Sequence, residues 1–177
     1  MIILGIDPGT ATTGFAILEK TEGKTNDPET KIIGNCNFKV INFGCIVTEP
    51  HQTAGERLKI IYKELEKIIK KYNPDLIAVE SLFFFKNLKT VMPVSQARGI
   101  VLLAAAQKNI PCCEFTPLQV KMTIAGYGRA EKKQVQKMTK MLLNLEKFDL
   151  KKNDRNKDDA ADALGIAICG GLWKNTY

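Results

Sequence analysis

Two short aliphatic runs in this chain each end on an acid. Ile2-Ile3-Leu4-Gly5-Ile6 delivers Asp7 into a Pro8-Gly9-Thr10 turn, and Leu76-Ile77-Ala78-Val79 delivers Glu80. Nearly continuous apolar runs of this length suit strands covered on both faces, as in sheets flanked by helices. If the two strands lie parallel and adjacent, both carboxylates emerge at one sheet edge, outside the carboxyl ends of the strands, where open α/β sheets carry their sites. An Asp before Pro-Gly is also an ordinary turn residue. Glu80, directly after four apolar residues, has little structural purpose.

The surrounding pattern supports that sheet. Gly14 to Leu18 has strand character, and it resumes over Ile32 to Ile33 and Phe38 to Val47, predicting an antiparallel meander of three consecutive strands. The polar stretch Thr21 to Thr30 between them is expected as an exposed hairpin loop. The period then changes. Leu58, Ile61, Tyr62, Leu65, Ile68, Ile69 and Tyr72 form one apolar helical stripe, which Asn73-Pro74 stops. A helix is expected over Pro93 to Lys108 and a fifth strand over Pro111 to Phe115. Thr116-Pro117-Leu118-Gln119 has the form of a capping box with proline at the first helical position, and Gly126-Tyr127-Gly128 breaks the helix it starts. Val135, Met138, Met141, Leu142, Leu145 and Phe148 mark a further amphipathic helix, and a last one runs from about Asp158 to Trp173. No repeat or Pro- or Ser-rich linker interrupts the order. The expectation is one α/β domain over residues 1–177, a mixed five-stranded sheet with antiparallel N-terminal strands and helices on both faces.

The last helix carries more acids. In Asp158-Asp159-Ala160-Ala161-Asp162, Asp159 and Asp162 are three apart and Asp158 and Asp162 four apart, so either pair shares a helix face. The intervening alanines would let the helix lie close on the sheet. Four converging carboxylates would repel, and at least one would stay protonated unless cations balanced them. An all-oxygen donor set suits Mg²⁺, with Mn²⁺ as a substitute. Two such ions roughly 3.5–4 Å apart can activate water and stabilise the leaving oxygen of a phosphodiester.

Composition narrows the chemistry further. Lys and Arg outnumber Asp and Glu by 26 to 19, a net charge of +7 that favours a polyanionic partner or else a solvated basic surface. The longest apolar run, Gly99 to Ala106, falls far short of the ~20 residues that cross a bilayer, and no signal-peptide core precedes Asp7, so a cytoplasmic location is expected. The five cysteines contain no C-x-x-C and predict reduced thiols. His51, the sole histidine, sits in a turn-like Pro50-His51-Gln52-Thr53, which excludes a multi-histidine metal site and weakens a Ser-His-Asp one.

Taken in order, GIDPGTATTG, LIAVE followed by aromatics, SQARG and DDAADALGIAI resemble the RuvC family of Holliday junction resolvases over nearly the whole chain. The resemblance implies a ribonuclease-H-like fold and a homodimer that cuts four-way DNA junctions with divalent metal during recombination and repair. It assigns the metal-holding acids to Asp7, Glu80, Asp159 and Asp162, with Asp158 an extra acid beside the match. It also matches Lys121 and Lys132 to basic positions near the scissile phosphate, and Phe83 to an aromatic presented at the junction centre. Stacking on an unpaired base is worth about 1–3 kcal/mol. Lys86, Asn87, Arg98, Arg129 and Lys133 are candidate DNA contacts, and Thr10 is a candidate for reaching phosphate. Branch-migration partners, RuvA and RuvB, follow by resemblance alone. Thr21 to Lys39 is longer than the family's usual hairpin, which leaves the local strand pairing open.

Rival readings are weaker. Gly9 and Gly14 have P-loop spacing, but Phe15-Ala16 stands where Lys and Ser/Thr would be required. An actin-like or sugar-kinase-type ATPase shares an acid, Gly and Thr after its first strand, yet needs a second lobe with its own phosphate loop. A non-catalytic branched-DNA binder would gain nothing from an acidic cluster that repels phosphate. The expected activity is a metal-dependent, structure-selective endonuclease making symmetric paired nicks that leave 5′-phosphate ends.

Overall fold

A computed structural model describes residues 1–22, 30–33, 35–81, 88–145 and 157–173. Its strands are β1 (Ile2–Asp7), β2 (Thr12–Thr21), β3 (Lys31–Ile33), β4 (Cys36–Val47), β5 (Leu76–Glu80) and β6 (Cys112–Phe115). Its helices are α1 (Ala54–Tyr72), α2 (Leu88–Gln107), α3 (Pro117–Ala125), α4 (Lys132–Leu142) and α5 (Lys157–Leu172). The sheet order is β3-β4-β2-β1-β5-β6. The β1–β2, β2–β4 and β3–β4 pairs are antiparallel, while β1–β5 and β5–β6 are parallel.

Six strands replace the expected five. The strand character expected over Ile32 to Ile33 forms a separate strand, β3, whose three residues pair with Phe38, Asn37 and Cys36 on β4. Three residues are too few to show an alternating pattern, and the pairing itself supplies their strand geometry.

The aliphatic runs do form the two central strands. In β1, Leu4 and Ile6 pack under α1 and α2 beside Ile61, Leu65, Val79 and Val101. Ile3 points to the other face, against a core built with α3, α4 and α5. Side chains alternate along a strand, so Asp7 shares the face of Ile3 and Gly5. The same alternation puts Glu80 on the face of Leu76 and Ala78, again the α5 side. Ile6 pairs with Val79, so Asp7 and Glu80 leave the sheet next to one another.

Local chemistry sets the helix ends. Thr53 caps α1 in a reciprocal box with Glu56, and Asn73 closes it in the left-handed conformation at φ 44°. Ile61, Leu65 and Ile69 are its buried stripe, and full burial of each such side chain contributes about 1.5–3 kcal/mol. Thr116 and Gln119 box the start of α3, with Pro117 at its first position and Gly126 (φ 69°) at its end. Two boundaries depart from expectation. The helix expected from Pro93 begins at Leu88, with Pro93 inside it. Proline is favoured at a helix start, so Pro93 reads as one, although it is the sixth helical residue and leaves the carbonyl four residues earlier without its usual helical donor. The helix expected to continue past Leu145 ends at Leu142, and Asn144 turns left-handed at φ 52°.

Helix α5 crosses the sheet at very short range. A Cβ on Gly5 would stand 2.3 Å from the Ala163 carbonyl oxygen, and one on Gly14 would stand 2.1 Å from that of Asp159. Only glycine lets backbone approach backbone this closely. That proximity brings the acids of α5 over the ends of β1 and β5. Among the described residues, no helix is long and apolar enough to cross a membrane.

Candidate active site

Asp7 ends β1 and leads into a braced turn. The Thr13 hydroxyl donates to the Gly9 carbonyl (2.6 Å), and the Thr48 hydroxyl donates to the Thr10 carbonyl (2.6 Å). Asp159 and Asp162 lie in the first turns of α5. One carboxylate oxygen from each of Asp7, Asp159 and Asp162 falls within 4.8 Å of the other two. This is the one acidic, His or Cys grouping of metal-ligand geometry among the described residues. Asp158 is exposed and stands outside the trio, which answers which member of the acidic pair turns inward. Glu80 also stands outside it. It nevertheless lines the same cavity of about 310 Å³ as Asp7, Asp162, Lys121 and Lys132.

Helix α4 supplies the counter-charge. Lys132 Nζ lies 2.6 Å from Asp162 Oδ2. One turn along α4, buried Gln136 donates from Nε2 to Asp162 Oδ1 at 3.0 Å. Gln136 was not foreseen from the sequence. Its only sequence signal is its position four residues after Lys132, which places both on one helix face.

The cluster holds charge reluctantly. Burial is the largest effect pushing the Asp7 carboxyl up to about 8, with repulsion from Glu80, Asp162 and Asp159 adding to it and Lys132 opposing. Burial likewise pushes Glu80 up to about 7, reinforced by Asp162 and opposed by Lys132. Asp159 is raised by burial against the pull of Lys132, with Asp162 and Asp158 repelling. Burial draws Lys132 down, but its hydrogen bond and attraction to Asp162, together with Asp7 and Asp159, hold it above its ordinary value. A divalent cation would relieve this repulsion, and hard carboxylate oxygens are what such a cation takes. The donors fit the group.

A pH effect follows with a definite sign. A carboxyl whose folded value is raised stabilises the fold fully below its unfolded value and loses that contribution as pH rises through the folded one. For Asp7 the window runs from 3.8 to about 8, and for Glu80 from 4.5 to about 7. Thermal melts in a chelator should therefore show Tm falling from about pH 5 to about pH 9, with added divalent cation restoring it most at the alkaline end. A Tm that rises across this range contradicts the buried, repelling cluster.

Lys121 on α3 reaches the cavity, while Lys133 and Arg129 are exposed nearby in sequence. Arg98 does not join them. It lies on α2, on the opposite face of the sheet, and its Nη2 meets both carboxylate oxygens of Glu114 on β6 at 2.5 and 2.6 Å. That two-oxygen ion pair engages the side chain on the far face of the sheet from the acidic cluster. Phe83, Lys86 and Asn87 lie outside the described residues, as does Phe148. Burial pushes the thiols of Cys112, Cys113 and Cys169 up to about 11 or 12, which disfavours their reactive thiolate forms.

Known proteins are similar to this chain in sequence and fold. A family model described as Crossover junction endodeoxyribonuclease RuvC matches residues 3–170. A protein of that name from Desulforamulus reducens is 48% identical over 177 residues, covering 100% of this chain and 97% of the relative. The Thermus thermophilus RuvC structure superposes with a TM-score of 0.75 at 30% identity, covering 96% of this chain and 92% of that one. T. thermophilus RuvC in complex with Holliday junction substrate gives a TM-score of 0.76 at 29% identity, with the same coverage.

Proposed function

Because this chain belongs to the RuvC family and is a crossover junction endodeoxyribonuclease, we propose that it resolves Holliday junctions at the carboxylate cluster, through symmetric nicks made by a homodimer. The observation that carries this reading is the convergence of Asp7, Asp159 and Asp162 within 4.8 Å, beside Glu80 and under Lys132. The whole chain, 1–177, acts as a single nuclease domain.

Asp7, Glu80, Asp159 and Asp162 would hold divalent metal, Mg²⁺ by preference with Mn²⁺ as a substitute, one or two ions per subunit. Bound metal supplies water activation and charge stabilisation at the leaving oxygen. The protein's own groups do the rest. Asp7 and Glu80 are rigidly aimed by adjacent parallel strands, and Asp159 and Asp162 by the close approach of α5. Lys132 and Lys121 place positive charge in the cleft, where the negative charge of the reacting phosphate develops. Water attacks phosphorus in line, the bond to the 3′ oxygen breaks, and the products carry 5′-phosphate and 3′-hydroxyl ends. Such ends can be religated.

Arg98, Arg129 and Lys133, together with Phe83, Lys86, Asn87 and Thr10, are assigned to the DNA path around this centre. Two cuts related by symmetry need two active sites, which a two-fold dimer provides. The cytoplasm is the assigned location, and RuvA and RuvB the assigned partners.

The deciding experiment is incubation with a synthetic immobile four-way junction, with and without Mg²⁺, beside a linear duplex. Paired symmetric nicks confined to the junction and dependent on Mg²⁺ are expected, with junction affinity falling steeply as salt rises. ATP hydrolysis without nicking would overturn this reading.

A further inference from the structure

We infer that Gln136 is a positioning residue for the metal centre, fixing the Asp162 carboxylate and the start of α5 through its side-chain amide. This rests on the reading of Asp162 as a metal ligand.

Gln136 is the one residue of α4 that is both buried and hydrogen-bonded to an acid of the cluster. It is 6% exposed, on a helix whose other buried members are Val135 and Thr139. Thr139 turns its hydroxyl back to the Val135 carbonyl (3.0 Å), the ordinary local solution for a buried hydroxyl. Gln136 instead reaches across to α5. Its Nε2 donates to Asp162 Oδ1 at 3.0 Å and, more weakly, to the Asp158 carbonyl oxygen at 3.4 Å. A carboxylate only accepts hydrogen bonds, so its neighbour there must be a donor, and the amide is oriented by that requirement.

The two oxygens of Asp162 are thereby held separately. Lys132 engages Oδ2 and Gln136 engages Oδ1, both from one face of α4. A carboxylate has about four lone-pair directions, so two contacts leave others for a cation. The two donors differ in consequence. Lys132 brings a positive charge, which competes with a cation at the same carboxylate. Gln136 is neutral and restrains the rotamer without that electrostatic penalty. Its second contact sits at Asp158, immediately before Asp159, so one amide braces the helix segment carrying both acids. Groups that hold a metal ligand from behind typically contribute 10–100-fold to metal affinity or activity.

The test titrates Mn²⁺ alone into the full chain and reads free ion by electron paramagnetic resonance. Gln136→Met keeps the side chain's length and removes its donor; Gln136→Leu does so with a different shape. Both should weaken Mn²⁺ binding about 10–100-fold. Junction affinity in a chelator should change by less than about twofold, and raised Mn²⁺ should restore most of the maximal cleavage rate. A purely structural role would lower Tm without moving the metal dependence. In the unaltered chain, the Gln136 side-chain amide resonance should shift when Mg²⁺ binds, a measurement that needs no variant. Mn²⁺ affinity within about twofold of the parent, or an unmoved amide resonance, overturns the inference. Asp162→Asn separates the two readings. If it weakens Mn²⁺ binding and Gln136→Met does not, only the positioning role falls; if Asp162→Asn has no effect, the metal-site assignment falls with it.

Discussion

Asp7→Asn is expected to abolish junction cleavage while junction binding persists. The substitution keeps the shape of the side chain at the end of β1 and removes the carboxylate charge that the cluster offers to a cation. It also removes a source of repulsion. Asp7 is the acid whose charged form is most disfavoured, so the fold should gain stability near neutral pH in the absence of metal. The loss of rate should exceed the roughly 100-fold that removal of a supporting residue costs, because Asp7 itself is a proposed ligand. Gel-shift assays in a chelator measure binding, and junction nicking in Mg²⁺ measures the rate. Retained nicking would sink the metal-site assignment. A Tm in chelator above that of the parent would be independent support for the buried repulsion.

The second large effect is expected at a residue with no functional group. Gly14→Ala places a methyl group 2.1 Å from the Asp159 carbonyl oxygen and 2.5 Å from its carbon, both backbone atoms that cannot rotate away. Either the start of α5 lifts or the start of β2 distorts. Overpacking of this sort costs about 1–3 kcal/mol, occasionally more. The catalytic loss should be larger than the stability loss suggests, because Asp159 moves with the helix, and misplacement by about 1 Å can cost roughly 10²-fold in rate. Urea midpoints and single-turnover cleavage of the same preparation separate the two. Gly55→Ala is the control: a Cβ there meets nothing within 4 Å, so near-parental stability and cleavage are expected. Equal behaviour of the two variants would remove the claim that close packing of α5 sets the carboxylate spacing.

Much of this site was legible in the sequence because its parts are local. An aliphatic run followed by an acid specifies both a strand and the residue leaving its end, and it does so twice, at Asp7 and Glu80. The three-residue spacing of Asp159 and Asp162 fixes their common helix face. Thr53, Asn73, Thr116 and Gly126 announce their helix ends through side-chain or backbone chemistry that needs no neighbour. What escaped depends on contacts between elements. Glu114 lies sixteen residues from Arg98, and only the packing of α2 beside β6 joins them. Gln136 is one of several polar residues on a lysine-rich helix, and nothing in its own segment shows that it turns inward. The strand character of Ile32 and Ile33 was visible, but its separation from β4 as a paired neighbour was not. Pro93 misled for the opposite reason, since a strong local start signal sits inside the helix, five residues after its first residue.

The order of the elements along the chain has a temporal consequence. Asp7 lies on the first strand and Glu80 on the fifth, whereas Asp159 and Asp162 lie on the last helix described. Domains emerge from the ribosome N-terminus first. A nascent chain that has completed its whole sheet still lacks half of its proposed ligands, and the surface of β1 and β2 that will receive α5 is uncovered. On the proposed ligand set, cutting competence waits for α5 to dock rather than growing as the sheet forms. A nuclease arranged in this way would hold no complete metal site over nearby DNA until α5 closes on the sheet.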